Sequence, residues 1–229
     1  MAAKRVGILG GSFNPVHNGH LHLAERGRAI LGLSEVHFVV AGLPPHKLPP
    51  SLIEYHHRYA MVSLATAGCP EFLPSQAEIE PPASPFSIDT LAKIARRLAV
   101  PGEDIYFIAG GDSLRDVAAW HESDRLLENY NFVFVMRPGI AVPEVRSLLP
   151  APSAARALDC RGLPAETAQA RTAAAVEAGG CRVFVLETGA PEIAASDVRR
   201  MAAAGEDFGR LVPAPVCEYI LKLHLYGER

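Results

Sequence analysis

The chain has 229 residues, 49% of them hydrophobic, which suits one domain, or one domain with a small appendage, around a sizeable core. Its 22 Lys and Arg against 25 Asp and Glu leave a formal net charge of −3. That balance argues against a nucleic-acid polymer as partner, though not against a local basic pocket for a phosphorylated small molecule. The four cysteines form no C-x-x-C pair, and the chain shows neither a signal-like start nor an apolar run of spanning length. A cytoplasmic protein with reduced thiols and no membrane partner is expected.

In chain order, Arg5–Leu9 reads as a short buried strand and the segment 10–18 as a loop rich in Gly, Pro and Asn. Leu21, Ala24, Ala29 and Ile30 suit one face of a helix over 19–31. Val36–Ala41 is apolar enough for an interior parallel strand. A proline-rich loop over 42–51 follows, then a helix over 57–67 and a strand within Phe72–Ile79. Ser87 is placed to cap a helix over 88–98. Asp104–Ala109 is the next strand, followed by Gly110-Gly111-Asp112, a helical region over 113–128 and a strand at Phe132–Met136. Residues 139–180 are rich in Ala and Pro and read as helical pieces linked by loops, before a last strand at Arg182–Leu186. Helices are expected over 196–204 and 215–225.

This alternation implies an α/β fold: a Rossmann-like, doubly wound parallel sheet with a small C-terminal helical part. The expected division is a nucleotide-binding unit over 1–190, with 139–180 as an insertion of unassigned role, and a helical part over 191–229 that completes a phosphate site. Ligands of such sheets bind beyond the carboxyl ends of the strands, near a topological switch point.

The most informative segment runs from Gly10 to His20, GGSFNPVHNGH. Gly10 and Gly11 permit close approach of a ligand to the backbone, and an ordinary turn has the same composition. The start of the following helix offers free N–H groups and a favourable dipole to phosphate. His17 and His20, three residues apart, can aim both imidazoles at one anion. Paired histidines also serve as metal ligands, but no third ligand is near in sequence. The segment is neither a Walker-type phosphate loop nor G-x-G-x-x-G.

The arrangement resembles the nucleotidyltransferase superfamily with an H-x-G-H signature, here His17-Asn18-Gly19-His20. The resemblance implies transfer of a nucleotidyl group from a nucleoside triphosphate, with His17 and His20 at the triphosphate and Ser12, Phe13 and the adjoining backbone facing phosphate. Downstream segments are similar to bacterial nicotinate mononucleotide adenylyltransferases. They are PPHK at 44–47, SIDTL at 87–91, GGDSL at 110–114 with Trp120, RPG at 137–139, IAASDVR at 193–199, LVP at 211–213 and YI at 219–220. They span nearly the whole chain except roughly 141–180.

Carried onto this chain, the resemblance gives catalytic roles to His17, His20, Lys47 and Arg199. ATP and its phosphates would meet Gly10, Gly11, Ser12, Phe13, Gly110, Asp112, Ile193 and Ser196. Nicotinate mononucleotide would meet Phe86, Ser87, Trp120 and Arg137, with the Trp120 indole stacked on the pyridine. Each has a plainer alternative: a solvated lysine at 47, a packing indole at 120, a helix-capping Asp112, a surface Arg199 whose role Arg200 could share. Three departures stand out. Pro85 and Ala194 occupy positions where the family pattern has serine, and Ser196 stands in for threonine.

The expected reaction is attack of the acceptor phosphate on the α-phosphorus of ATP, yielding deamido-NAD and pyrophosphate in NAD biosynthesis. Mg2+ is expected as the cofactor, carried by ATP phosphates and water rather than by protein ligands. Other acceptors, such as nicotinamide mononucleotide or phosphopantetheine, and a non-catalytic nucleotide sensor are the competing readings. Homo-oligomer formation is left open.

Overall fold

The computed structural model describes residues 4–42, 52–136, 144–187, 189 and 193–227. Seven strands form one sheet: β1 Val6–Gly11, β2 Glu35–Val40, β3 Phe72–Ser75, β4 Ile105–Gly110, β5 Asn131–Met136, β6 Ala157–Asp159 and β7 Val183–Glu187. Their order is β3-β2-β1-β4-β5-β7-β6, and every pairing is parallel. The chain leaves β1 for β2 and β3 on one side, then returns to place β4 and β5 on the other. The carboxyl ends of β1 and β4 therefore flank the switch point, where such folds bind ligands.

Eight helices cover the sheet: α1 Asn18–Leu31, α2 Tyr55–Thr66, α3 Ser87–Leu98, α4 Ser123–Asn129, α5 Ala151–Ala155, α6 Ala165–Glu177, α7 Ala195–Ala204 and α8 Ala214–Lys222, counted among the described residues. Both faces of the central strands are covered, so these strands are apolar throughout rather than alternating with polar residues. In β5, Val133 and Val135 enter the core beneath α1, α2, α7 and α8, whereas Phe132, Phe134 and Met136 enter the core beneath α3 and α4. Asn131 begins β5, at the amino-terminal ends of the strands and away from the switch point. It is 1% exposed; its Nδ2 donates to Glu103 O at 2.7 Å, and its Oδ1 accepts from the Arg182 N–H at 2.9 Å.

Three local expectations are corrected. The region 113–128 is not one helix: short 3-10 turns at Gly111–Arg115 and Val117–Ala119 precede α4. Trp120 is extended and Glu122 takes φ 51°, so the chain cannot continue a right-handed helix between them. Ser87 is the first residue of α3 rather than its cap; Phe86 occupies the cap position without a side-chain bond. Ser84 organises that turn instead, accepting from the Phe86 N–H at 3.2 Å and donating to Asp89 Oδ2 at 2.7 Å. Within 139–180, residues Ala157–Asp159 add an edge strand against β7.

Candidate active site

The first loop is shaped at both ends by contacts distant in sequence. His17 takes an extended conformation as the cap of α1, and its N–H donates to Nδ1 of His20 at 3.2 Å. Because that nitrogen accepts, a neutral His20 carries its proton on Nε2, as a donor suited to a phosphate oxygen. The two imidazoles lie with centroids 3.7 Å apart and planes tilted by 31°. His17 is buried and His20 half-buried. Gly19 between them is needed for space: a Cβ there would come within 3.0 Å of His17 Nδ1 and 3.8 Å of Ile193 Cβ.

Phe13 sits in the left-handed region at φ 45°, an uncommon conformation for a bulky residue and a local strain that its packing offsets. Its ring is 1% exposed and meets the His20 ring edge-on at 5.0 Å. Phe13 thus supports His20 from the core, and its ring is not available to a ligand. Ser12 is exposed.

The C-terminal part closes onto this loop. Arg199 of α7 donates from Nη1 to Asn14 O at 2.7 Å, across 185 positions of sequence. Tyr226 donates from its hydroxyl to Asn14 Oδ1 at 3.0 Å. Asn18 donates its N–H to Leu211 O at 2.9 Å and its Nδ2 to Arg210 O at 3.0 Å. Ile193 is buried against the start of α1, and Ser196 is exposed in the first turn of α7. The histidine pair and the late arginine helix therefore occupy one side of the molecule.

A cleft of about 220 Å³ lies against β1, β2 and β4 where α3 faces them, and reaches the start of the first loop at Gly10 and Gly11. Gly10, Gly11 and Gly110 form part of its wall, together with Ser87, Thr90, Phe107, Ser113, Trp120 and Glu78. The Trp120 indole stands edge-on to Phe107 at 5.7 Å, which fixes a flat apolar side chain at the cleft wall. Burial pushes the Glu78 carboxyl up from its ordinary value, while the Gly42 N–H and Arg58 pull it back.

Not every expected residue joins these two centres. Phe86 lies outside the cleft lining and stacks on His121 at 4.0 Å. Asp112 is exposed on the turn after β4, and Ser113 rather than Asp112 lines the cleft. Lys47 and Arg137 lie outside the described residues. The structure also adds residues that the motifs did not single out. Arg58, Glu78 and Tyr226 are the main ones, and Thr90 joins the cleft wall from within the SIDTL segment. Arg58 left a visible sign: it falls on the α2 face that buries Met61 and Val62, three and four positions later, where an apolar residue is the ordinary choice.

Comparison with known proteins decides the family. The sequence model described as cytidylyltransferase-like matches residues 8–201. The chain belongs to the cytidylyltransferase-like family. Within that family it is 36% identical to a probable nicotinate-nucleotide adenylyltransferase of Geobacter metallireducens, over 97% of this chain and 98% of that protein. It is 45% identical to a protein of the same description from Thermus thermophilus, over 61% of this chain and 73% of that one. A solved structure of Plasmodium falciparum nicotinic acid mononucleotide adenylyltransferase, complexed with NaAD, superposes with a TM-score of 0.70 at 18% identity. That superposition covers 97% of each chain and shows the shared fold. Among the described residues, no helix is long and apolar enough to cross a membrane.

Proposed function

We propose that the chain transfers the adenylyl group of ATP to the phosphate of nicotinate mononucleotide, forming nicotinate adenine dinucleotide and pyrophosphate, a step of NAD biosynthesis. One observation carries the reading: the first loop meets the Arg199 helix at Asn14, holds the His17–His20 pair, and at its start, Gly10 and Gly11, lines a cleft walled by Ser87 and Trp120. Two anions have to be held in line for this chemistry, and the arrangement offers two adjoining places for them.

In this reading an oxygen of the acceptor phosphate bonds to the α-phosphorus of ATP. The bond from that phosphorus to the bridging oxygen breaks, and the electron pair leaves with pyrophosphate. The acceptor phosphate is largely ionised near neutral pH, so no strong base is required. The rate then rests on alignment and on charge stabilisation. His20 Nε2–H and His17 meet the phosphate oxygens where charge builds up. Lys47 adds a point charge, and Arg199 holds Asn14 while offering its planar guanidinium. Ser196 and the first turn of α7 receive phosphate, with Ile193 holding that segment to α1. The backbone of Gly10, Gly11, Ser12 and Phe13 lies along the triphosphate, and Gly110 and Asp112 lie at the ribose. Ser87, Trp120 and Arg137 receive nicotinate mononucleotide; Phe86 joins them only by leaving His121. The unit 1–190 and the helical part 191–229 act together in this scheme, because Asn14 and Asn18 bind the latter directly.

Mg2+ fits this scheme as a companion of ATP. The first loop offers N–H and imidazole donors, which suit phosphate oxygens rather than a hard cation. Among the described residues the one grouping of potential metal ligands is Glu54, His56 and His57, at the start of α2. The cation would therefore ride on phosphate oxygens and water, neutralising charge on the triphosphate.

Pyrophosphate release with nicotinate mononucleotide, nicotinamide mononucleotide and phosphopantetheine, at equal ATP and Mg2+, tests the reading. Release with nicotinate mononucleotide should be the fastest. A faster rate with either other acceptor would replace the substrate, and ATP binding without release with any of them would replace the activity.

A further inference from the structure

Arg58 is 1% exposed, so its cation lies in the interior. A buried guanidinium persists when its donors are satisfied, and this one is met by backbone carbonyls. Nε donates to Ile53 O at 3.1 Å, Nη1 to Ser12 O and Ala41 O at 2.8 Å each, and Nη2 to Gly42 O at 3.2 Å. Those carbonyls come from the first loop, the end of β2 and the approach to α2. No ordinary helix-stabilising role for an arginine requires that reach.

The Ala41–Gly42 peptide is gripped from both sides. Its carbonyl accepts from Arg58, and its N–H donates to Glu78 Oε2 at 3.0 Å. A trans peptide directs those two groups oppositely, so the line runs from cation through peptide to carboxylate. Gly42 is pinned further by close approach: a Cβ there would sit 2.8 Å from Ile79 Cγ2. Glu78 itself lines the cleft.

The same guanidinium acts on the first loop. It draws the Ser12 carbonyl toward β2, and the Ala41 N–H takes the Gly11 carbonyl at 2.9 Å. Two consecutive carbonyls are thereby turned to one side. The Ser12 and Phe13 N–H groups, in those same peptides, are directed to the other side, the orientation of an anion-binding nest.

We propose that Arg58 and Glu78, joined through the Ala41–Gly42 peptide, form a positioning clamp that shapes the first loop to receive a triphosphate. The clamp also holds the chain at Gly42, five residues before Lys47. It rests on the adenylyl-transfer reading only for the identity of the nucleotide.

ATP affinity in the absence of any acceptor is the readout. Arg58→Lys keeps the charge but not the planar fork, and cannot hold carbonyls from separate segments at once. Loss of a charge-assisted bond implies a rise in ATP Kd of about ten- to a hundredfold, with Kd for nicotinate mononucleotide within about twofold. Glu78→Gln should weaken ATP binding as well, and the double variant should lose less than the product of the two single losses. Arg58→Ala adds a control that a merely structural role would not pass. Guanidinium ion at about 10 mM, far below denaturing levels, should restore part of the ATP affinity, whereas urea at the same concentration should not. Unchanged ATP affinity in folded Arg58→Lys protein, or strictly multiplicative losses in the double variant, would overturn the clamp. If Arg58→Ala fails to fold, Arg58→Lys still decides. Wild-type protein that binds ATP but releases no pyrophosphate would remove the proposed acceptor, while the clamp would still be judged by ATP affinity.

Discussion

Replacing Gly19 by alanine separates stability from catalysis at the position between the two histidines. The added Cβ would lie 3.0 Å from His17 Nδ1, against about 3.4 Å for ordinary contact, so the His17 ring must retreat by about 0.4 Å. Gly19 is the second residue of α1, and its φ is not among the positive ones. Alanine there should favour the folded state by about 0.4–1 kcal/mol through lost chain entropy. Displacing a buried imidazole offsets part of that gain. Because about 1 kcal/mol moves the midpoint of a chain this size by about 2–4 °C, Tm should stay within about 4 °C of wild type. Catalysis should respond differently. A misplacement of about 1 Å can cost about a hundredfold, so about 0.4 Å scales to roughly sixfold in kcat, near 1 kcal/mol of barrier. Steady-state pyrophosphate release at saturating ATP and nicotinate mononucleotide, beside a thermal melt, measures both. An unchanged kcat in a variant with normal or raised Tm would refute the requirement that His17 stay where Gly19 lets it lie.

Other perturbations divide the site into its parts. His20→Ala should lower kcat by about a hundredfold or more, as for loss of a transition-state donor, with a near-normal melt; near-normal turnover in the folded variant would remove the role. Trp120 is the only tryptophan, so its fluorescence should respond to nicotinate mononucleotide, and Trp120→Ala should weaken that ligand while leaving ATP affinity unchanged. Chelation by EDTA should stop turnover without shifting the melt of the ligand-free protein, because the cation travels with ATP; a lowered Tm would instead indicate a resident metal. Asn131→Ala, at the amino-terminal end of β5, strands the Arg182 N–H and the Glu103 carbonyl. It should cost about 1–3 kcal/mol, or roughly 2–12 °C in Tm, and leave kcat of the folded protein intact.

The strands were legible because burial on both faces leaves an unmistakable mark: Phe132 to Met136 is apolar without interruption. The first loop was legible because glycines and histidines sit together at a strand-to-helix joint. The break at Trp120–Glu122 was not, since Ala118, Ala119, Trp120, His121 and Glu122 contain no helix breaker, and the left-handed Glu122 follows from tertiary packing rather than composition. β6 is a three-residue, half-buried edge strand without a β-branched residue, specified by its pairing with β7 rather than by propensity. Ser87 looked like a cap because a serine before an apolar run is the usual signal, yet Ser84 makes the local bonds. Arg58 showed only as a charge on an apolar helix stripe; that its partners are carbonyls of the first loop depends on the folding of three separate segments.

A crystal structure of the chain with a non-hydrolysable ATP analogue and nicotinate mononucleotide tests the shared pocket most directly. The α-phosphate should lie within hydrogen-bond reach of His20 Nε2 and beside the first turn of α7, with the pyridine against Trp120. Phosphates bound away from the His17–His20 loop, or an acceptor seated outside the cleft that Trp120 lines, would contradict it.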